Sequence, residues 1–101
     1  MRYLGFEVEV VLGEYSNHRT ALQLIDKEDY SPVAVATVNL PEEDLGKNEV
    51  FIKNWSENTG MLEWLEEQGL VEKFRGFVTS GFIVVPKVKL NTIKLKEGAD
   101  F

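Results

Sequence analysis

The residues that could carry chemistry are few and scattered. His18 is the only histidine, set between Asn17 and Arg19. An imidazole there could serve as a general base or a metal ligand. Residues 13–19 read GEYSNHR, a turn-rich run, so the expected reading of His18 is a solvated turn residue. The serines are Ser16, Ser31, Ser56 and Ser80, and none sits in a G-x-S-x-G elbow. A hydroxyl nucleophile needs an activating base, and His18 would have to supply it. Acids cluster at Asp26/Glu28/Asp29, Glu42/Glu43/Asp44 and Glu63/Glu66/Glu67. The first cluster lacks the spacing and glycine of a calcium loop. The second reads as the first turn of a short helix after Pro41, and the third as the wet side of a helix. No glycine pattern forms a phosphate loop. The expectation is a non-enzymatic protein with no cofactor and no metal.

Two groups remain as binding candidates. The first is Asn54, Trp55, Ser56, Glu57 and Asn58, with Trp64 as a second aromatic anchor. That segment joins a strand to a helix and is dense in hydrogen-bonding side chains. Either it caps the helix, or it is a recognition loop on a rigid scaffold. The second group is Lys87, Lys89, Lys94 and Lys96. With Lys73 and Arg75 they could line a basic strip near Phe74, Phe77 and Phe82, as in single-strand nucleic-acid binders. The competing reading makes the phenylalanines core residues, and makes Pro86 and the lysines the protection of a sheet edge.

The elements that must position these residues are mostly strands. Residues 3–12 alternate, with Leu4, Phe6, Val8, Val10 and Leu12 on one side, which predicts a half-buried strand. Strands follow at residues 21–25, 33–40 and 49–53. Residues 77–79 and 82–85 predict a hairpin about Ser80-Gly81. Two last short strands around Val88 and Leu90, and Ile93 and Leu95, would turn at Asn91-Thr92. Residues 97–101 read as a frayed tail. One helix, at about residues 57–68, is well marked. Ser56 is the expected N-cap, with Asn58 or Thr59 as alternatives. Met61, Leu62, Trp64 and Leu65 form its stripe. Gly69 and Leu70 form a Schellman ending against Leu65. The expected fold class is α+β: one domain over residues 1–101, with a largely antiparallel curved sheet of about six strands under one main helix.

Composition narrows the function classes further. The chain has 101 residues and no cysteine, which excludes disulfide frameworks, zinc ribbons and thiol catalysis. No signal peptide and no run near 20 apolar residues is present, so a cytoplasmic location without membrane contact is expected. The formal net charge is −6. Residues 1–48 hold nine acids and four bases, residues 49–72 six and one, and residues 73–101 two and six. An acidic body with a basic C-terminal section disfavours duplex DNA, where phosphate neutralisation dominates affinity.

The stretches EVFIKNWSENTGMLEWLEEQGLV, VTSGFIVVPKVKL and VATVNLP resemble a family of short bacterial and phage-associated proteins known only as a domain of unknown function. The likeness spans about two thirds of the chain. It implies a cytoplasmic protein, often carried on mobile elements, with no assigned activity. It also marks residues 54–58 as a shared pattern. The leading expectation is therefore a protein-interaction module. One alternative is a single-stranded nucleic-acid binder using the C-terminal lysines. Another is an acidic nucleic-acid mimic that occupies a host defence enzyme. The oligomeric state is left open.

Overall fold

The computed structural model describes residues 1–99, without the side chains of residues 73–75 and 96–99. The order is β1 (Arg2–Tyr3), β2 (Phe6–Glu14), β3 (Thr20–Asp26), β4 (Pro32–Val35), β5 (Thr37–Val38) and β6 (Glu49–Ile52). A 3-10 turn (Ser56–Asn58), α1 (Met61–Glu67), β7 (Val71–Ser80), β8 (Ile83–Leu90) and α2 (Thr92–Ala99) follow. All strand pairings are antiparallel. The α+β class and the antiparallel character are as expected. The single six-stranded sheet is not: the strands form two four-stranded sheets, ordered β1-β2-β3-β4 and β5-β6-β8-β7.

The division arises at one residue. Residues 33–40 were expected to form one strand, but the chain leaves the first sheet after Val35 and enters the second at Thr37. Ala36 lies between them, fully buried. Its N–H donates to Leu22 O of β3 at 2.8 Å, and its carbonyl accepts from Lys53 N beyond β6 at 2.9 Å. One peptide position thus ties both sheets. A methyl side chain lets the two backbones approach this closely. Thr37 continues the junction: its Oγ1 accepts from Leu22 N at 3.2 Å and shares a 2.9 Å hydrogen bond with Tyr15 OH.

The first ten residues also depart from the alternating pattern. Leu4 and Gly5 both have positive φ, so a two-residue turn closes Tyr3 against Phe6. This reverses the burial of the segment. Tyr3 is buried, whereas Leu4 and Phe6, expected on the core side with Val8 and Val10, are exposed. Leu12, expected there too, lies 44% exposed toward the strand's end.

The expected helix is shorter than predicted but ends as predicted. Leu70 N donates to Leu65 O and Gly69 N to Glu66 O, each at 3.0 Å, and Gly69 has φ +71. Those two bonds define the Schellman motif. Met61 and Leu65 are fully buried, while Leu62 and Trp64 pack on the core's margin. Burying side chains of this size contributes roughly 1.5–3 kcal/mol each. They join Val8, Val10, Leu22, Leu24, Val50, Ile52, Val88 and Leu90 in one cluster between the sheets.

Of the two last expected strands, the one around Val88 and Leu90 is the end of β8, and the one around Ile93 and Leu95 is instead α2. Asn91 caps it, accepting from Lys94 N at 3.1 Å through its side chain. The same side chain donates to Gly69 O at 3.0 Å, and Asn91 N donates to Leu70 O, so the second helix is fastened to the end of the first. Leu95 is buried, but Ile93 is exposed, which overturns the alternating reading of 88–95. The helix takes in residues 97–99 of the expected tail; residues 100 and 101 lie outside the described residues. Residues 41–43 make a turn and a bend and residues 44–46 are irregular, so the expected helical turn is not formed. Arg19 holds that acidic loop, donating to Leu40 O at 2.7 Å and Glu43 O at 2.6 Å.

Ala36→Leu should lose about 1–3 kcal/mol of stability in urea unfolding, because the junction has no room for three more carbons. Thr37→Val should lose a comparable amount, about 1–3 kcal/mol, by leaving the buried Leu22 N–H without its acceptor. Wild-type stability in both would contradict the junction's role.

Candidate functional site

The segment 54–58 is positioned by β6 on one side and α1 on the other. Its two asparagines turn inward. Asn54 Oδ1 accepts from Leu62 N at 2.9 Å and so caps α1 from a distance. Asn58 is 1% exposed, and its Nδ2 donates to Val35 O at 2.6 Å, next to the Ala36 junction. Ser56 is not the N-cap. It opens the 3-10 turn with φ +57, and Gly60, in the left-handed region, takes the N-cap position of α1. A 3-10 turn therefore precedes the helix, and the capping oxygen comes from two residues before Ser56.

The tryptophans are half-buried. Trp64 Nε1 donates to Arg2 O at 2.7 Å, and its ring meets Tyr3 edge-on at 5.2 Å. This contact spans 62 residues of sequence and clamps the β1–β2 hairpin to α1. The Tyr3 hydroxyl is buried and has no hydrogen-bond partner among the described residues. Burial, followed by the negative charge of Glu57, raises its pKa. Glu57 itself is exposed and ion-pairs with Lys53. The hydrogen bond from Lys53, then those from its own backbone and from Ser56, lower its pKa to about 2. Of the five loop residues, Ser56 and Glu57 are the exposed ones, and Glu57 is held by Lys53.

The lysines do not form one strip. Lys87 and Lys89 lie on β8, an interior strand of the second sheet, so they do not guard an edge. Pro86 pairs with Phe77 inside the β7–β8 ladder. Lys89 stands opposite Glu49 on β6 and lies 3.7 Å from Glu72. Lys94 and Lys96 are on α2 rather than a strand. Lys94 is exposed; the side chain of Lys96 lies outside the described residues.

His18 sits in the β2–β3 turn with φ +67, its Nδ1 3.5 Å from Glu14. Both side chains are largely solvated. Asp26 and Asp29 accept from backbone N–H groups two residues ahead and shape the β3–β4 turn. Among the described residues no group of three or more histidines and carboxylates is placed to hold a metal ion. A cavity lined by Met1, Val8, Val10, Leu70 and Leu95 measures about 90 Å³. Pockets for small-molecule ligands run to roughly 300–1,000 Å³, so it is too small for one.

The feature that sequence reasoning missed is the exposure of the β7–β8 hairpin, which itself was expected, with its turn at Ser80-Gly81. Gly81, with φ +61, and Phe82 make its two-residue turn. Phe82 is 109% exposed, Phe77 61%, Val84 54% and Ile83 36%. Phe77 and Phe82 were expected in the core. Their spacing matched core alternation, but the hairpin runs past the body that would cover it. Loop 40–43 reaches only Thr79 and Ser80, across an open groove of about 290 Å³. The signal available in sequence was the uncharged run from Gly76 to Pro86, which is longer than a buried strand needs.

Two outcomes test this description. Tyr3→Phe should leave stability unchanged or raise it by up to about 1 kcal/mol, because it removes a buried hydroxyl with no partner among the described residues. A loss above that range would reveal a partner for the hydroxyl. The folded pKa of Glu57 lies below its unfolded value near 4.5. Its ionised form therefore stabilises the fold above pH 4.5, and that contribution fades as pH falls toward 2. Glu57→Gln should flatten the urea-stability curve across this window, and added salt should flatten the wild-type curve. Identical slopes in both proteins would contradict the Lys53–Glu57 pairing.

No curated protein and no solved structure matches the chain. One family model does match, over residues 9–100, which takes in every element from most of β2 through α2. The chain belongs to that family, the domain of unknown function DUF4313.

Proposed function

We propose that this protein is a non-catalytic interaction module that binds a protein partner through its β7–β8 hairpin. One observation carries the reading: Phe77, Phe82, Ile83 and Val84 are exposed together on a single hairpin. The largest apolar patch on a domain of this kind, a few hundred Å² in size, is often its functional surface. The hairpin is also anchored, since β8 is interior to its sheet and Val85 and Val88 are buried. A rigid base with an apolar tip limits the ordering cost of binding.

The loop 54–58 and Trp64 support the module rather than contact the partner. Their polar groups are largely engaged within the fold. Binding of single-stranded nucleic acid is less well supported. The register places Phe77 with Pro86 and Gly76 with Lys87. Side chains alternate along a strand, so Lys87 and Lys89 share the face opposite Phe77 and Val84. Stacking aromatics and cations would then sit on different sides.

A photoreactive phenylalanine analogue at position 82 tests the reading in cells. It should cross-link to protein, giving a discrete heavier band. The same analogue at Tyr30, exposed in the β3–β4 turn of the other sheet, should give none. Equal labelling at both positions, or labelling at neither, would contradict the proposal.

A further inference from the structure

The second sheet is ordered β5-β6-β8-β7, so β5 and β7 are its outer strands. The sheet nevertheless curls until these two ends face each other. Leu40, Pro41, Glu42 and Glu43, which follow β5, lie across the open groove of about 290 Å³ from Thr79 and Ser80 at the end of β7. Phe82 follows Ser80 by two residues, so the apolar tip of the hairpin adjoins the groove. The acidic side of the groove is held in place. Arg19 donates to Leu40 O and Glu43 O, Glu43 N donates to Leu40 O at 3.0 Å, and Asn17 Nδ2 donates to Asn39 Oδ1 at 3.2 Å. Those bonds fix the backbone of the loop and spend the Arg19 guanidinium on carbonyls. Among the described residues the carboxylates of Glu42 and Glu43 enter no ion pair. Residues 76–86, on the other side, carry no charge.

We infer that this groove receives a segment of the partner protein in which Lys or Arg side chains flank an apolar residue. The inference rests on the hairpin being the protein-binding surface, and it names the chemistry of what is bound. Specific interfaces combine an apolar centre with a polar rim. Phe82, Ile83 and Val84 supply the apolar part here, and Glu42 and Glu43 supply the rim. A cleft lined by one sign of charge attracts the opposite sign, and like charge brought against it is repelled. An anionic bilayer or a nucleic acid, which a bare apolar tip alone would admit, is therefore disfavoured by the two carboxylates beside it. The cations of the hairpin do not cancel them. Lys87 is the first, at the fifth ladder pair from the turn, opposite Gly76. Lys89 lies further still and is 3.7 Å from Glu72. Because the loop is already pinned, holding the two carboxylates against a basic segment costs little further ordering.

The photoreactive phenylalanine analogue at position 82 of the full chain, used in cell lysate, tests the inference. Labelling of protein should fall at least about fivefold between roughly 50 mM and 500 mM salt, as the rim charges are screened. Glu42→Gln/Glu43→Gln should lower labelling to a similar degree at low salt. Glu66→Gln/Glu67→Gln removes the same charge from exposed positions on α1, outside the groove, and should leave labelling unchanged. Mass spectrometry of the cross-linked fragment should find Lys or Arg beside the labelled residue. Circular dichroism verifies that both double variants are folded. Labelling that ignores salt and the groove variant, or that falls equally with the α1 variant, overturns the inference and leaves the hairpin as a protein-binding surface. A labelled fragment without neighbouring Lys or Arg does the same. No labelling of protein at position 82, or labelling of lipid or nucleic acid in its place, overturns both the inference and the reading on which it rests.

Discussion

The fold depends on the passage of one strand between two sheets at Ala36. Its N–H and its carbonyl bind opposite sheets, so neither sheet can shift without breaking a buried backbone hydrogen bond. The neighbouring groups are committed as well. The Val35 carbonyl takes Asn58, and the Thr37 hydroxyl takes both Leu22 N and Tyr15. Three consecutive residues thus connect β3, the segment after β6, the turn before α1 and the end of β2. A change in any of these would be felt in the others, because the bonds converge on one buried stretch of backbone.

This arrangement accounts for the polarity of residues 54–58. The segment leaves β6 beside Ala36 and must return to start α1, and the crossing leaves a carbonyl to satisfy on the way. Asn58 supplies the donor, and Asn54 supplies the acceptor for the helix start. Trp64 and Tyr3 then close the opposite side of α1 over the first hairpin. The result is a stiff body whose long hairpin is held at its base and bare at its tip. The charges follow the same logic. Lys89 lies between Glu49 and Glu72, so part of the basic C-terminal section is neutralised within the sheet. The net charge of −6 therefore describes the acidic loops and the outer side of α1 more than it describes a two-sided molecule.

Much of this architecture could be read from the sequence, where local rules and tertiary packing agree. The Schellman ending at Gly69 and Leu70 is one case, since its geometry is set by one glycine and one apolar contact. The apolar stripe of α1 and the tight turn near Gly81 are others. Reading failed where one periodicity continued through a change of structure. Leu4 and Phe6 extended the alternation of β2, but a turn at Leu4-Gly5 intervenes. Ile93 and Leu95 extended that of β8, although Asn91 was already a capable N-cap for α2. The split at Ala36 left no local mark, because alanine suits a strand and a crossing equally. The exposed phenylalanines were hidden for a related reason. Alternation tells which residues share a face, not whether anything covers that face. The residues that matter most for the proposed function were therefore placed in the core.

The claim on which the rest depends is that the backbone at Ala36 locks the two sheets together. Residue-resolved amide hydrogen exchange measures it directly. The amides of Leu22, Ala36 and Lys53 should exchange only by global unfolding. An Ala36 amide that opens locally, at a free energy well below that of global unfolding, would contradict the account.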